Sequence, residues 1–394
     1  MRKFTSVLAA AGFAMLPLAS QAASSSSIPT LGDVLKASGI EANGYIDFGS
    51  TWNNRGINGV SGIGGLGSPF AVTGLIGARD LAFRLNQIGL SVNTKMTENF
   101  SGTLDLLAGA DAKNVPGDSI IGGAVNDVVF KQAYITYANG GLTVMGGRFA
   151  TLAGSEVINS SQNQNATRSL LFTEFQPLTH TGVRASYSIN KMVSVTLGYS
   201  NTATPFVVIP VGPGIPLITN TTDTDKQKTL EAQVAVTPFD GFTNALTFYR
   251  GADELSGNAT DAQPFLLDLV SSMQITKALS AGLNYDFAYT PQFGTDGRSH
   301  GLALYSRFQL CNNLALGGRA EFVETSADGF DRATQYEYTL TTDYAVAKNF
   351  SVLTDVRYDK TSSSQATSIL GPTLVNPTGV TGLTSITVKG IYRF

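Results

Sequence analysis

An all-β chain is predicted: a transmembrane antiparallel β-barrel of about sixteen strands, with short turns at one end and long loops at the other. Three observations predict it. Apolar and polar residues alternate with period two in one segment after another. The links between those segments alternate strictly between tight turns and long polar or Gly-rich stretches. The chain has only 14% charged residues and 42 Gly, yet beyond its first 22 positions it contains no run of about 18 apolar residues. Several classes are excluded at the same time. An apolar fraction of 43% is too high for a disordered chain. One Cys and two His make no disulfide framework and no His/Cys metal cluster. A net charge of −3 argues against a nucleic-acid partner held by a basic surface.

The N-terminus is an address. Arg2 and Lys3 precede a short apolar stretch from Phe4 to Leu18, and Ala19-Ser20-Gln21-Ala22 supplies small residues for cleavage. That pattern marks residues 1–22 as a secretory signal peptide, too short for a membrane span. Residues 23–40 form a periplasmic segment. Within it, 31–38 is a candidate short helix, entering the lower mouth of the barrel or acting as a tether. The barrel itself is assigned to 41–394.

The strands follow from parity. Val183, Ala185, Tyr187 and Ile189 share one face, with Arg184, Ser186 and Ser188 on the other. Leu279, Ala281, Leu283, Tyr285 and Phe287 oppose Ser280, Gly282, Asn284 and Asp286. Side chains alternate across a strand, so each such segment has an apolar and a polar face. The segment 79–94 changes phase, and a bulge near Asn86-Gln87 would repair it. Seven links are tight, among them Asn139-Gly140-Gly141, Asn190-Lys191 and Cys311-Asn312-Asn313, where Asn and Gly suit hairpin geometry. Eight are long, near 53–78, 112–127, 150–178, 202–226, 251–264, 290–298, 325–333 and 360–380. An even strand count puts both termini on the periplasmic side. A closed barrel satisfies every backbone group in lipid, which an open sheet cannot. Tyr45, Tyr137, Tyr199, Tyr249, Tyr289, Tyr344, Tyr358 and Tyr392 near strand ends are expected to form interfacial girdles. The last strand alternates through Ile386, Val388, Tyr392 and Phe394. It resembles the terminal insertion signal read by the barrel-assembly machinery.

If the apolar face meets lipid, the charges point inward. Parity puts Arg84, Asp105, Arg184, Glu231, Asp268, Asp286, Arg307, Arg319, Glu321, Glu337, Asp343, Asp355, Arg357, Lys389 and Arg393 on the lumen side. Arg148 and Lys131 lie in strands that alternate poorly. A barrel of this size leaves an aqueous lumen, so these residues are candidate pore-lining groups that tune ion preference. The longest loop, 150–178, is the third. Long loops usually carry function. Glu156, Arg168 and Glu174 are its candidate constriction charges, and Leu170, Leu171, Phe172 and Phe175 could pin it to the inner wall. Loop 202–226, with Pro205, Pro210, Pro213 and Pro216, could cap the barrel or latch onto a neighbouring subunit.

Short words of sequence carry a family resemblance. Gly147-Arg148-Phe149, Gly154-Ser155-Glu156 and the stretch from Phe175 to Arg184, together with Gly44-Tyr45-Ile46-Asp47 at the first strand, resemble the putative beta-barrel porin family of exported Gram-negative proteins. The resemblance covers nearly the whole mature chain. It implies an outer-membrane channel whose third loop narrows the lumen, embedded in lipid and lipopolysaccharide, and by analogy with other sixteen-stranded porins a homotrimer. It carries over no binding residue, and no cofactor is implied.

An enzyme is not expected. Only His180 and His300 could serve a nucleophile, and neither lies near a Ser-centred motif. Two functions remain. One is passive diffusion of small hydrophilic solutes or ions through an aqueous channel. The other is a surface adhesin or receptor acting through its outer loops, with the barrel as anchor. Polar inward faces and loops of modest length favour the first.

Overall fold

A computed structural model describes residues 35, 37–54, 83–115, 128–201, 228–251, 263–292, 295–327, 332–361 and 382–394. The export segment and the Pro-rich loop 202–226 lie outside the described residues, as do most of loops 53–78 and 360–380. Of the segment 31–38, Leu35, Ala37 and Ser38 are described, and Ser38 N–H donates to Leu35 O at 3.0 Å.

The strands are β1 (Ile40–Asn53), β2 (Arg84–Lys95), β3 (Phe100–Ala108), β4 (Val128–Asn139), β5 (Leu142–Ala150), β6 (Thr179–Ser188), β7 (Val193–Ser200) and β8 (Thr229–Phe239). They continue as β9 (Phe242–Arg250), β10 (Phe265–Gln274), β11 (Leu279–Gln292), β12 (Thr295–Cys311), β13 (Leu314–Ala327), β14 (Ala333–Ala347), β15 (Phe350–Thr361) and β16 (Gly382–Arg393). Each pairs antiparallel with its neighbours in sequence, and β16 returns to β1 to close the barrel. Closure removes the free edges that lipid would not tolerate. The seam runs from Tyr45 opposite Arg393 to Asn53 opposite Ser385. Gly44 and Phe394 exchange both backbone hydrogen bonds, at 2.8 and 2.9 Å. The terminal Phe394 ring lies over Gly44, where a Cβ would sit 2.6 Å from its Cζ.

Parity sorts the faces as predicted. Leu197, Leu230, Leu304, Leu340, Val356, Ile386 and Val388 are exposed on the outside. Asp105, Arg184, Glu231, Asp286, Arg319, Glu321, Glu337, Asp355 and Arg357 are buried on the inside. The phase change in β2 is a bulge at Asn86: Asp47 pairs with Gln87 and Phe48 with Leu85, so Asn86 is the extra residue. Both Asn86 and Gln87 then face inward, and Asn86 donates to Asp47 Oδ1 at 2.9 Å. A second bulge explains β4. Asp105 pairs with Gln132 and Leu106 with Phe130, which turns Lys131 inward to within 3.3 Å of Asp105.

Three expectations change. Tyr45 and Tyr249 are not girdle residues. They share phase with Asp47 and Glu231's partner position, point inward and are buried. Tyr199, Tyr344, Tyr358 and Tyr392 remain on the exposed outer face. The link 290–298 is not a long loop. Its Pro, Gly and Asp content resembles a loop, but Thr290, Pro291 and Gln292 pair with Gly297, Asp296 and Thr295. The link 325–333 likewise shortens, with Thr325 opposite Ala333. In both cases the strand ladder runs on past the apolar band, where composition no longer needs to alternate.

Candidate functional site

The third loop, 151–178, lies inside the barrel against its wall. Its local structure follows from its caps. Asn159 caps the 3-10 turn Ser160–Gln162 by accepting from Ser161 N. Ser169 caps the short helix Leu170–Glu174 by accepting from Phe172 N at 2.9 Å. The helix turns four apolar side chains away from water. Leu170, Leu171 and Phe175 pack with Tyr249, Leu266, Ala288, Ala303 and Val323 of β9–β13. Phe172 and Ile158 pack with Leu107 and Val129 of β3 and β4. Ala166 packs with Leu353 and Ile391 of β15 and β16. Each fully buried Leu or Phe contributes about 1.5–3 kcal/mol. These wall residues break the expected pattern, because they are apolar at positions of lumen parity. The loop is the reason they are there.

The loop backbone is held by charged wall side chains. Carboxylates and amides accept from its N–H groups. Asp268 takes Gly154 N at 3.0 Å, Asn284 takes Ser155 N at 2.9 Å, and Gln87 takes Ser160 N at 3.1 Å. Asp355 takes Ala166 N and Thr167 N at 3.1 and 2.7 Å, and Glu321 takes Leu170 N at 2.9 Å. Guanidinium groups donate to its carbonyls. Arg319 reaches Thr167 O at 2.9 Å and Arg168 O at 3.1 Å, Arg357 reaches Arg168 O at 2.5 Å, and Arg393 reaches Ser161 O at 2.8 Å. Hydrogen bonds to charged groups are each worth about 1.5–3 kcal/mol.

Arg319 is the hub. Its guanidinium donates to Glu156 Oε1 at 2.7 Å and to Glu337 Oε2 at 3.0 Å, and it lies 3.0 Å from Glu321 Oε1. Glu156 in turn accepts from Ser169 N at 2.9 Å. Arg357 sits 3.7 Å from Glu337 and grips Asp359 through two nitrogens. One guanidinium therefore ties the two limbs of the loop to β13 and β14 together.

Each sequence-predicted residue has a definite place. Asp105 meets Lys131 and Gln132. Arg184 forms a two-pronged pair with Glu231, and its guanidinium lies 4.1 Å above the Phe149 ring. Asp286 faces Asp268 across β10 and β11, with Asn284 donating to Asp268 at 2.8 Å. Arg307 pairs with Asp343 at 2.7 Å, part-exposed. Arg84 is exposed at the outer end of β2. Of the three loop candidates, Glu156 and Arg168 are buried. Arg168 donates to Ile158 O at 2.5 Å and stacks over the Phe172 ring at 4.5 Å. Glu174 is half-buried at the end of its helix and accepts from Gln335 at 2.9 Å. Burial pushes its carboxyl up to about 7, against the opposing Gln335 hydrogen bond.

Sequence reasoning missed the anchors that carry no charge. Tyr249 accepts from Leu152 N at 2.9 Å, and Gln87 donates to Ile158 O at 3.1 Å. Gly301 and Gly317 were also missed. A Cβ at Gly301 would meet Leu171 Cδ1 at 2.9 Å, and one at Gly317 would meet Gln164 Nε2 at 3.0 Å. Gly301→Val should therefore destabilise the loop by about 1–3 kcal/mol through overpacking. Hydrogen exchange of 166–172 would read this as faster exchange, with the strand amides unchanged. His180 is buried, stacked on Tyr249 at 5.0 Å, and neither ring nitrogen has a hydrogen-bond partner.

The family model for putative beta-barrel porin-2, OmpL-like, matches residues 39–394. The chain belongs to that family. Family membership and a closed barrel with an apolar outer belt make it an outer-membrane channel protein rather than an enzyme. No curated protein matches the chain. Among solved structures, the outer membrane channel DcaP of Acinetobacter baumannii is similar at 10% identity and TM-score 0.58, covering 90% of this chain and 97% of that one. An anion-selective porin from Comamonas acidovorans is similar at 12% identity and TM-score 0.55, covering 90% and 99%. The trimer form of OmpT, an outer membrane protein of Vibrio cholerae, is similar at 12% and TM-score 0.54, again covering 90% and 99%. At these identities the likeness is one of fold.

Proposed function

We propose that this porin-family barrel is a passive diffusion channel for small hydrophilic solutes, narrowed by its third loop. The observation that carries the reading is the docking of 151–178 onto the inner wall at β1, β2 and β8 to β16. A loop held at that many points sets a fixed cross-section rather than a flexible fringe. Below it, towards the short turns, inward residues such as Ser91, Asn93, Thr103 and Thr136 are part-open. An aqueous vestibule follows. Residues 1–22 act as the export signal, the last strand as the handle for the barrel-assembly machinery, and lipid with lipopolysaccharide as the surroundings. A homotrimer is the proposed assembly, in keeping with the trimer form of OmpT.

Reconstitution in a planar bilayer tests the reading. Stable single-channel steps are expected. A folded, inserted barrel that conducts nothing would overturn it. The Glu174 carboxyl gives a finer mark. Glu174 is protonated below about pH 7 and charged above it. Raising the pH from 6 to 8 should move the reversal potential towards cation preference, and Glu174→Gln should abolish that movement. The same raised pKa makes the folded state hold a proton the unfolded chain has lost. Stability contributed by Glu174 should fall as pH rises from the unfolded carboxyl value towards 7 and level off above it.

A further inference from the structure

We propose that the passage favours uncharged hydrogen-bonding solutes of the sugar and polyol type over ions of either sign. This rests on the channel reading above and names its substrate class. The first support is the free surface of the third loop. Its exposed and half-exposed positions between 155 and 164 are Ser155, Val157, Asn159, Ser161, Gln162, Asn163 and Gln164. Glu156 and Arg168, the charges within reach of that stretch, are buried. Between 155 and 164 the loop therefore turns mainly amides and hydroxyls to the open space, while Glu156 and Arg168 serve its anchorage and Glu174, at the end of the helix, is its one half-buried charge.

The second support is the vestibule. In the periplasmic halves of β2 to β11, the inward positions among the described residues are Ser, Thr, Asn, Gln, Ala and Gly with a few apolar side chains, and Lys95 stands alone at the turn end. Hydroxyls and amides there bond across strands. Thr103 donates to Asn93 at 2.8 Å, Ser186 and Thr196 meet at 2.8 Å, and Thr243 and Ser272 meet at 2.8 Å. The third support is the pairing of inward charges: Lys131 with Asp105, Arg184 with Glu231, Lys389 with Asp47 and Arg357 with Asp359, and, near the short turns beside Ser280 and Ala315, Arg307 with Asp343. Ion selectivity needs rings of uncompensated charge. A wall of largely paired charges and part-open hydroxyls gives an ion little to replace its hydration shell, whereas a neutral polyol exchanges water for hydroxyl and amide partners at nearly equal enthalpy.

The test uses the full-length protein in liposomes swollen by three solutes of similar size: glucose, gluconate and N-methylglucamine. Glucose should enter fastest, with the anion and cation slower and within about threefold of each other, and the potassium-to-chloride permeability ratio should lie between about 0.5 and 2. A charged congener entering faster than glucose, or a permeability ratio beyond about 5 in either direction, would overturn the inference while leaving the channel standing. Swelling with none of the three would remove the channel reading and this one with it. Ser186→Asp adds one negative charge to the hydroxyl arc. It should raise the cation preference at least about threefold, and an unchanged ratio would mean that solutes do not follow this arc.

Discussion

Arg319→Ala should free the third loop while leaving the barrel closed. The substitution strands Glu156, Glu321 and Glu337 in a buried site, with only Arg357, 3.7 Å from Glu337, to compensate. Removing one partner of a buried ion pair costs about 3–5 kcal/mol, because the remaining charge has no solvent to turn to. The strand ladder does not depend on Arg319, so the cost falls on the contact between loop and wall. The carbonyl of Thr167 loses its donor as well, and that of Arg168 is left to Arg357 alone. Protease cleavage within 150–178 should become at least about a hundredfold faster in proteoliposomes, the factor that corresponds to roughly 3 kcal/mol. Single-channel conductance should rise or become noisy. Arg319→Lys keeps a charge but cannot span three carboxylates and two carbonyls at once, so it should fall between the two.

Leu340→Arg should be the most damaging change on the outer surface. Leu340 sits mid-strand in β14 and is 57% exposed on the lipid face. An Arg near the midplane of such a barrel costs about 2–4 kcal/mol. Ser186→Arg, inward on β6, should cost far less, since its side chain stays in water. Equilibrium refolding into detergent or lipid vesicles would measure both. A greater cost for Ser186→Arg would mean that the faces have been assigned the wrong way round, and an equal cost would contradict the assignment of one to lipid and the other to water.

Much of the architecture was legible because the membrane enforces it. Lipid on one side and water on the other impose a strict period of two, so parity alone sorted Arg184, Glu231, Arg319 and Glu337 to the inside. The Asn86 bulge was legible for the same reason: two apolar phases in one strand have no other reconciliation. Parity failed where the outside is no longer lipid or the inside no longer water. Tyr45 and Tyr249 were assigned by residue type, and aromatic rings suit an interface or a buried loop contact equally well. Their phase with Asp47 and Glu231 would have decided it. Strand ends near 290–298 leave the apolar band, where alternation carries no information.

The site was legible in position but not in role. Loop length marked 150–178, and its apolar quartet marked the pin. The pairing of its charges was hidden, because it depends on which of many inward residues lie at the loop's height. One signal was present and unused. Leu107, Val129, Leu266, Val323 and Leu353 are apolar on the polar parity, and in an aqueous lumen such residues need a cover.

The docking of the third loop onto β13 is the claim on which the rest depends, and a cysteine pair tests it directly. In a Cys311→Ser background, Gln164→Cys and Gly317→Cys should form a disulfide readily in the membrane, since a Cβ at Gly317 lies 3.1 Å from Gln164 Cγ. The cross-linked channel should still conduct, with conductance close to that of the reduced form. Failure to cross-link, with Gln164→Cys freely labelled by a bulky reagent from the outer side, would contradict the account.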